Sequence, residues 1–205
     1  MLCLFLGFSL QLAGKELPNP YTAEWQNLKS SLFGDKKVVG SNNIIELEAP
    51  FRAEDAAVVP ISIKSKIWQS PEKFIKKIYL LIDKNPTPVA GIFTLSEKAG
   101  RADIETRVRL EEYTFVRAVA ELNNGDLHMA HSYVRASGGC SAPAGKDQEA
   151  ALARLGRIKL RTESGIEVGK PARAQVMVSH PNFSGMQMDQ VTRLYVPARF
   201  VKEIK

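Results

Sequence analysis

Between residues 44 and 136 the chain is written in short alternating runs, and that rhythm limits what it can fold into. In "DIETRVRL" (103–110), Ile104, Thr106, Val108 and Leu110 fall on one side, and Asp103, Glu105, Arg107 and Arg109 on the other. Successive side chains of a strand point to opposite faces, so such a run has one face for a core and one for water. "IIELEA" (44–49) sets Ile45 and Leu47 against Glu46 and Glu48, and "AVVPISIK" (57–64) aligns Val59, Ile61 and Ile63. "KIYLLID" (77–83) is a continuous apolar run, and "PVAGIFTL" (88–95) follows the turn-forming "DKNPTP". "TFVRAVAEL" (114–122) and "LHMAHSYVRA" (127–136) flank "NNGD", where Asn124-Gly125 predicts a hairpin. Strands of this length, punctuated by turns, predict a mainly β protein with an immunoglobulin-like antiparallel β-sandwich.

Helical spacing is confined to two places. Trp25, Leu28 and Leu32 follow Thr22, a suitable N-cap, and precede Gly34, a suitable stop. Asp147 can cap a second helix, with Ala150, Ala151, Leu152 and Leu155 on one side and Gly156 at its end. Strand patterns resume in "RIKLRT" (157–162), "ARAQVMVSH" (172–180) and "VTRLYVP" (191–197). The expected organisation is a β domain over 22–136, a cysteine loop and connector helix over 137–156, and a partial second β domain over 157–205. That second unit has few strands and would be marginal alone.

The first 14 residues, "MLCLFLGFSLQLAG", carry no charge. Such a run is too short to span a bilayer as a helix and fits the apolar region of a secretory signal, although no basic residue precedes it. Residues 1–14 are therefore expected to direct export to the periplasm and to be removed, leaving no stable membrane insertion. The net charge of +6 comes from Lys and Arg interleaved with Asp and Glu. Without a basic block and interleaved aromatics, nucleic-acid binding is not indicated.

The chain has two cysteines, Cys3 and Cys140. Signal removal would take Cys3 and leave Cys140 without an internal disulfide partner, as in intermolecular pairing or a reactive thiol. Cys140 lies in "RASGGCSAPAGKD" (135–147), a stretch without bulky residues that predicts an uncovered thiol. Gly138 and Gly139 permit backbone conformations closed to other residues and a close approach by another protein. Arg135, Lys146 and the N-terminus of the following helix are candidates for lowering the thiol pKa. A small buried residue in a tight turn is the competing reading.

Other chemistry is poorly supported. His128 and His131 are three apart on a strand and point to opposite faces. His180, Met186 and Met188 have soft ligand atoms but no organised spacing. Trp25 and Trp68 read as core or rim aromatics. No haem, phosphate-loop or zinc motif occurs, so no metal or organic cofactor is called for.

Four segments carry a family resemblance: "LEAPFRAEDAAVVPISI" (47–63), "ETRVRLEEYTFVRAVAE" (105–121), "YVRASGGCSAPAGKD" (133–147) and "VSHPNFSGMQMDQVTRLYVPARFV" (178–201). The chain resembles the SoxYZ-like carrier proteins, in the fused form encoded near quinoprotein dehydrogenases. The first three segments resemble the Y-type half, and the last resembles the opening of a Z-type half. The resemblance implies a second, incomplete β-sandwich in the Z-like part. It also implies a non-enzymatic periplasmic carrier that holds a small sulfur-containing group covalently on Cys140. Gly138, Gly139 and Ser141 would form its flexible arm. Ser141 and Ala142 stand where the family's carrier segment has two further glycines, and the segment is internal, which implies a shorter reach. Partners implied are periplasmic enzymes acting on the carried group, with a quinoprotein dehydrogenase or a c-type cytochrome as candidates. Two other classes stay open: an accessory module for such a dehydrogenase or cytochrome, and a thiol enzyme, which would need a base beside the sulfur.

Overall fold

The computed structural model describes residues 17–40, 43–142, 152–189 and 191–205. The expected signal segment, Lys146, and Asp147, Ala150 and Ala151 of the expected connector helix lie outside the described residues.

Helix α1 (Ala23–Phe33) begins where Thr22 Oγ1 accepts from Trp25 N–H and ends at Gly34, whose φ of 59° turns the chain out of the helix. Ten strands follow: β1 (Val38–Gly40), β2 (Ile45–Glu48), β3 (Val59–Ser65), β4 (Ile75–Ile82), β5 (Val89–Thr94), β6 (Ile104–Val108), β7 (Thr114–Leu122), β8 (Leu127–Val134), β9 (Ile158–Thr162) and β10 (Ala174–Val178). The first eight form a five-stranded sheet ordered β1-β8-β7-β4-β5 and a three-stranded sheet ordered β2-β3-β6. Gly125, at φ 89°, makes the β7–β8 turn.

The alternating runs do what their pattern requires. Ile45, Leu47, Val59, Ile61 and Ile63 on the small sheet pack with Ile78, Leu80, Ile82, Val116, Ala118 and Ala120 on the large one. The opposite face of the large sheet is also covered. Trp25, Leu28, Leu32 and Phe33 of α1 pack on Leu81, Val119, Leu127 and Met129. This explains the run "KIYLLID": β4 is buried from both sides, so alternation would be penalised.

Between sheet and helix lies a buried ion pair. Arg117, 0% exposed, donates through Nε and Nη2 to the Asp83 carboxylate at 2.6–3.0 Å. Its Nη2 also donates to the Pro20 carbonyl at 2.5 Å, and its guanidinium lies 4.5 Å from the Trp25 ring centroid. A buried charge persists only when it is paired and hydrogen-bonded. Arg117 therefore ties the segment leading into α1 to the sheet.

The expected mainly β sandwich built of antiparallel sheets is present, and the edge strand β1 adds a parallel pairing with β8. The intervening chain supplies the long crossover such a pair requires. One strand expectation needs correction: "VTRLYVP" forms no strand. Its segment makes only isolated bridges, Met188 with Tyr195 and Phe183 with Arg199. Asp189 Oδ1 accepts from Val191 N–H, Thr192 N–H and Thr192 Oγ1, so the side chain holds the backbone in a turn instead of a ladder. In the second half, β9 and β10 form a two-stranded sheet of their own. Ile158 and Leu160 on it are 65% and 66% exposed.

Trp25 is a core residue. Trp68 is a rim residue, with the Arg101 guanidinium 5.2 Å from its ring centroid.

Candidate functional site

The site is built where the chain leaves β6. Leu110 is buried in the core, and its N–H donates to the Ala56 carbonyl at 2.8 Å. Asn85 in the "DKNPTP" turn grips both neighbours: its Nδ2 donates to the Arg109 carbonyl at 2.7 Å, and its Oδ1 accepts from Glu111 N–H at 3.0 Å. Residues 109–111 thereby become a fixed shelf.

The cysteine segment lies on that shelf. Gly138 N–H donates to the Glu111 carbonyl and Gly139 N–H to the Leu110 carbonyl, both at 2.8 Å. The Glu111 carboxylate then accepts from Cys140 N–H at 2.9 Å, Ser141 N–H at 3.1 Å and Ser141 Oγ at 2.9 Å. Arg109 Nη1 donates to the Gly139 carbonyl at 3.0 Å. From the second half of the chain, Ser184 Oγ donates to the Cys140 carbonyl at 2.5 Å. Gln187, itself buried, orients that serine by accepting from Ser184 N–H at 3.2 Å.

Both glycines are required by this geometry. Gly138 sits at φ 79°, a conformation that side chains disfavour. A Cβ on Gly139 would stand 2.0 Å from the Ala56 carbonyl oxygen, so only glycine lets the segment approach the shelf.

The expected uncovered thiol is corrected here, because Cys140 is only 6% exposed. Gly138, Gly139 and Ser141, expected to form a flexible arm, are docked by the bonds to residues 109–111. The groups that surround the sulfur act in the direction opposite to the candidates for lowering its pKa. Burial pushes the Cys140 thiol up, the Glu111 carboxylate adds to the rise, and Arg109 only partly opposes them. Arg135, a candidate modulator, stacks its guanidinium 4.5 Å from the Phe51 ring centroid instead. Lys146, the other candidate, lies outside the described residues.

The histidines serve other contacts. His131, on the exposed side of β8, packs edge-on against Phe115 at 5.6 Å, where partial desolvation and Arg117 push its pKa down. His180 Nδ1 accepts from Asn182 N–H. Among the described residues no cluster of three His, Cys, Asp or Glu side chains is placed to hold a metal ion.

Sequence reasoning located Cys140 but missed Glu111, Arg109 and Ser184. Glu111 and Arg109 read as polar residues at the end of an alternating run, and nothing local marks them. Ser184 lies 44 residues from Cys140.

The comparisons bear on this constellation. The family described as Sulfur oxidation protein SoxY matches residues 29–140, ending on Cys140 itself. The chain belongs to the SoxY family. A second family, Sulphur oxidation protein SoxZ, matches residues 160–205, so this is a fused SoxYZ-like protein of the sulfur-oxidation carrier class. Among solved structures it is similar to the sulfur carrier protein SoxY from Chlorobium limicola f thiosulfatophilum, with 21% identity and a TM-score of 0.45 over 55% of this chain and 94% of that one. It is also similar to a superoxide reductase (neelaredoxin) from Ignicoccus hospitalis, with 14% identity and a TM-score of 0.40 over 45% of this chain and 79% of that one. No curated relative matches the sequence.

Proposed function

We propose that this SoxYZ-like protein is a periplasmic carrier that holds a small sulfur-containing group covalently on Cys140 and presents it to separate enzymes. The observation that carries this reading is the SoxY match reaching Cys140, the one cysteine among the described residues. Joining a thiol to a sulfur anion through a sulfur–sulfur bond releases one proton and two electrons. Those electrons need an acceptor, and a partner such as a c-type cytochrome or a quinoprotein dehydrogenase suits the chemistry. The sandwich and α1 would act as the handle such partners recognise. The docked thiol is disfavoured as a nucleophile because thiol chemistry proceeds through the thiolate. Loading therefore requires the 138–141 segment to leave its shelf.

Intact mass spectrometry of protein prepared from periplasm without reductant tests the reading, with Cys140→Ser in parallel. A reductant-labile adduct on the wild type, missing from the variant, is expected. A bare thiol in the presence of the co-expressed partner enzymes would overturn it. The burial of Cys140 favours a second reading, an accessory module for a dehydrogenase or cytochrome in which the cysteine only packs. That reading requires a Cys140→Ser strain to keep its full phenotype.

A further inference from the structure

The groups around Cys140 differ in how they would treat charge on the sulfur. Glu111 holds the segment through its carboxylate, with bonds to Cys140 N–H, Ser141 N–H and Ser141 Oγ. The same carboxylate lies 2.9 Å from the Cys140 nitrogen, and after burial it is the second cause that pushes the thiol pKa up. The surroundings are poorly hydrated, since Cys140 is buried. Arg109, the nearby cation, has Nη1 engaged with the Gly139 carbonyl. A neutral thiol suits this setting. An anionic group attached to Sγ would share a partly desolvated site with a fixed carboxylate, and both desolvation and like-charge repulsion would oppose it.

We propose that Glu111 is a charge-operated latch, holding residues 138–141 docked while Cys140 is a neutral thiol and releasing them when the sulfur bears an anionic group. This rests on the reading of Cys140 as the carrier and deepens it by naming what governs presentation. On release, the donors of Cys140 and Ser141 and the Glu111 carboxylate exchange their mutual bonds for bonds to water, a replacement of small net cost. The Ser184 clasp on the Cys140 carbonyl opens in the same movement, so docking also joins the two halves of the chain. The empty carrier is docked most of the time and opens only transiently to be loaded, whereas the loaded carrier stays open. Partners would then meet the arm chiefly when it has something to deliver, and unloading would restore the docked state.

The test uses the full chain and three small adducts installed on Cys140. In each, the thiolate displaces halide to form a thioether, releasing the halide ion. Iodoacetate gives an anionic carboxymethyl group, iodoacetamide a neutral carbamidomethyl group of nearly the same size, and bromoethylamine a cationic aminoethyl group. Amide hydrogen exchange at Cys140 and Ser141 is the readout. Exchange is expected to be at least about tenfold faster in the carboxymethyl form than in the carbamidomethyl form, with the aminoethyl form slowest, as expected for one added charge at short range in a partly buried site. Glu111→Gln keeps an acceptor oxygen but not the charge, and should abolish the dependence on the sign of the charge, leaving the aminoethyl form no slower than the carbamidomethyl form, because desolvation opposes both signs alike. Glu111→Asp should keep the difference.

Equal exchange in the three wild-type adducts, or an order that follows size, would overturn the latch. So would a charge-ordered difference that survives in Glu111→Gln. The wild-type series tests whether release follows the sign of the charge even if a variant fails to fold, and Glu111→Asp beside Glu111→Gln assigns that dependence to the carboxylate. Because the adducts are made outside the cell, the outcome does not depend on what Cys140 carries there. Charge-ordered release together with a bare thiol in the periplasm would sink the carrier reading alone.

Discussion

The two β regions of this chain obey the same alternation and reach opposite outcomes. In the first, the small sheet closes one face of β4 and β7 and α1 closes the other. In the second, β9 and β10 pair in register from Ile158–Val178 to Thr162–Ala174, yet Ile158, Leu160 and Val176 on their apolar face remain exposed. Strand pairing satisfies backbone groups locally, whereas burying an apolar face needs a second layer. Charge divides the regions too. Up to residue 153 the chain has 18 basic and 18 acidic residues, and from residue 154 it has ten against four, so the whole net charge of +6 arises in the second region.

The sharpest test of this contrast is a buried charge. Arg117→Ala would strand the Asp83 carboxylate between sheet and helix and is expected to cost about 3–5 kcal/mol. Arg161→Ala on β9, an exposed position, should stay within about 0.5 kcal/mol. Urea denaturation of both variants measures the difference, and similar midpoints would break the comparison.

Apolar truncation should follow the same division. Ile63→Ala, in the sandwich core, is expected to lose about 2–5 kcal/mol. Leu160→Ala, 66% exposed, should lose less than about 0.5 kcal/mol. A large loss at Leu160 would mean that the β9–β10 face is covered in solution.

The docked thiol should make a smaller contribution that depends on pH. Burial and Glu111 raise the folded-state pKa of Cys140 above its unfolded value. Its contribution to docking is therefore fully present below the ordinary thiol pKa and is lost as pH rises through the raised value. The pH profile of iodoacetamide labelling should be displaced upward relative to the urea-unfolded chain. A downward displacement would contradict the docked geometry.

The smallest effect expected is ionic. The excess of like charge in the second region should make β9–β10 amides exchange more slowly as salt rises, by about twofold between 0.05 and 0.5 M, because exposed charges are screened over a Debye length. Amides of β4 and β7, buried from both sides, should hardly respond.

Strand positions were largely legible because a one-sided strand announces itself in period two. Ile104, Thr106 and Val108 share a face, as their spacing required. Thr22 and Gly34 bounded α1 for equally local reasons, an oxygen that can accept from Trp25 N–H and a residue free to adopt φ 59°. "VTRLYVP" was misread because Asp189 holds the backbone nearby in a turn. The parallel β1–β8 pair was missed because direction depends on a crossover of many residues. At the candidate site, Gly138 and Gly139 were legible as needs of the backbone, although the reason for Gly139 proved to be the Ala56 carbonyl.

By itself the sequence determined the alternating strands, the helix caps, the Gly125 turn and the position of the cysteine, since each depends on residues a few places apart. Only the tertiary structure decided that the thiol is covered, that its pKa rises, and that Glu111 rather than Arg135 faces it. Burial and Coulomb interactions depend on distance through space, and Glu111 and Ser184 reach Cys140 from 29 and 44 residues away. No local pattern encodes that meeting; it exists because the shelf after β6 and the second half of the chain converge on one peptide.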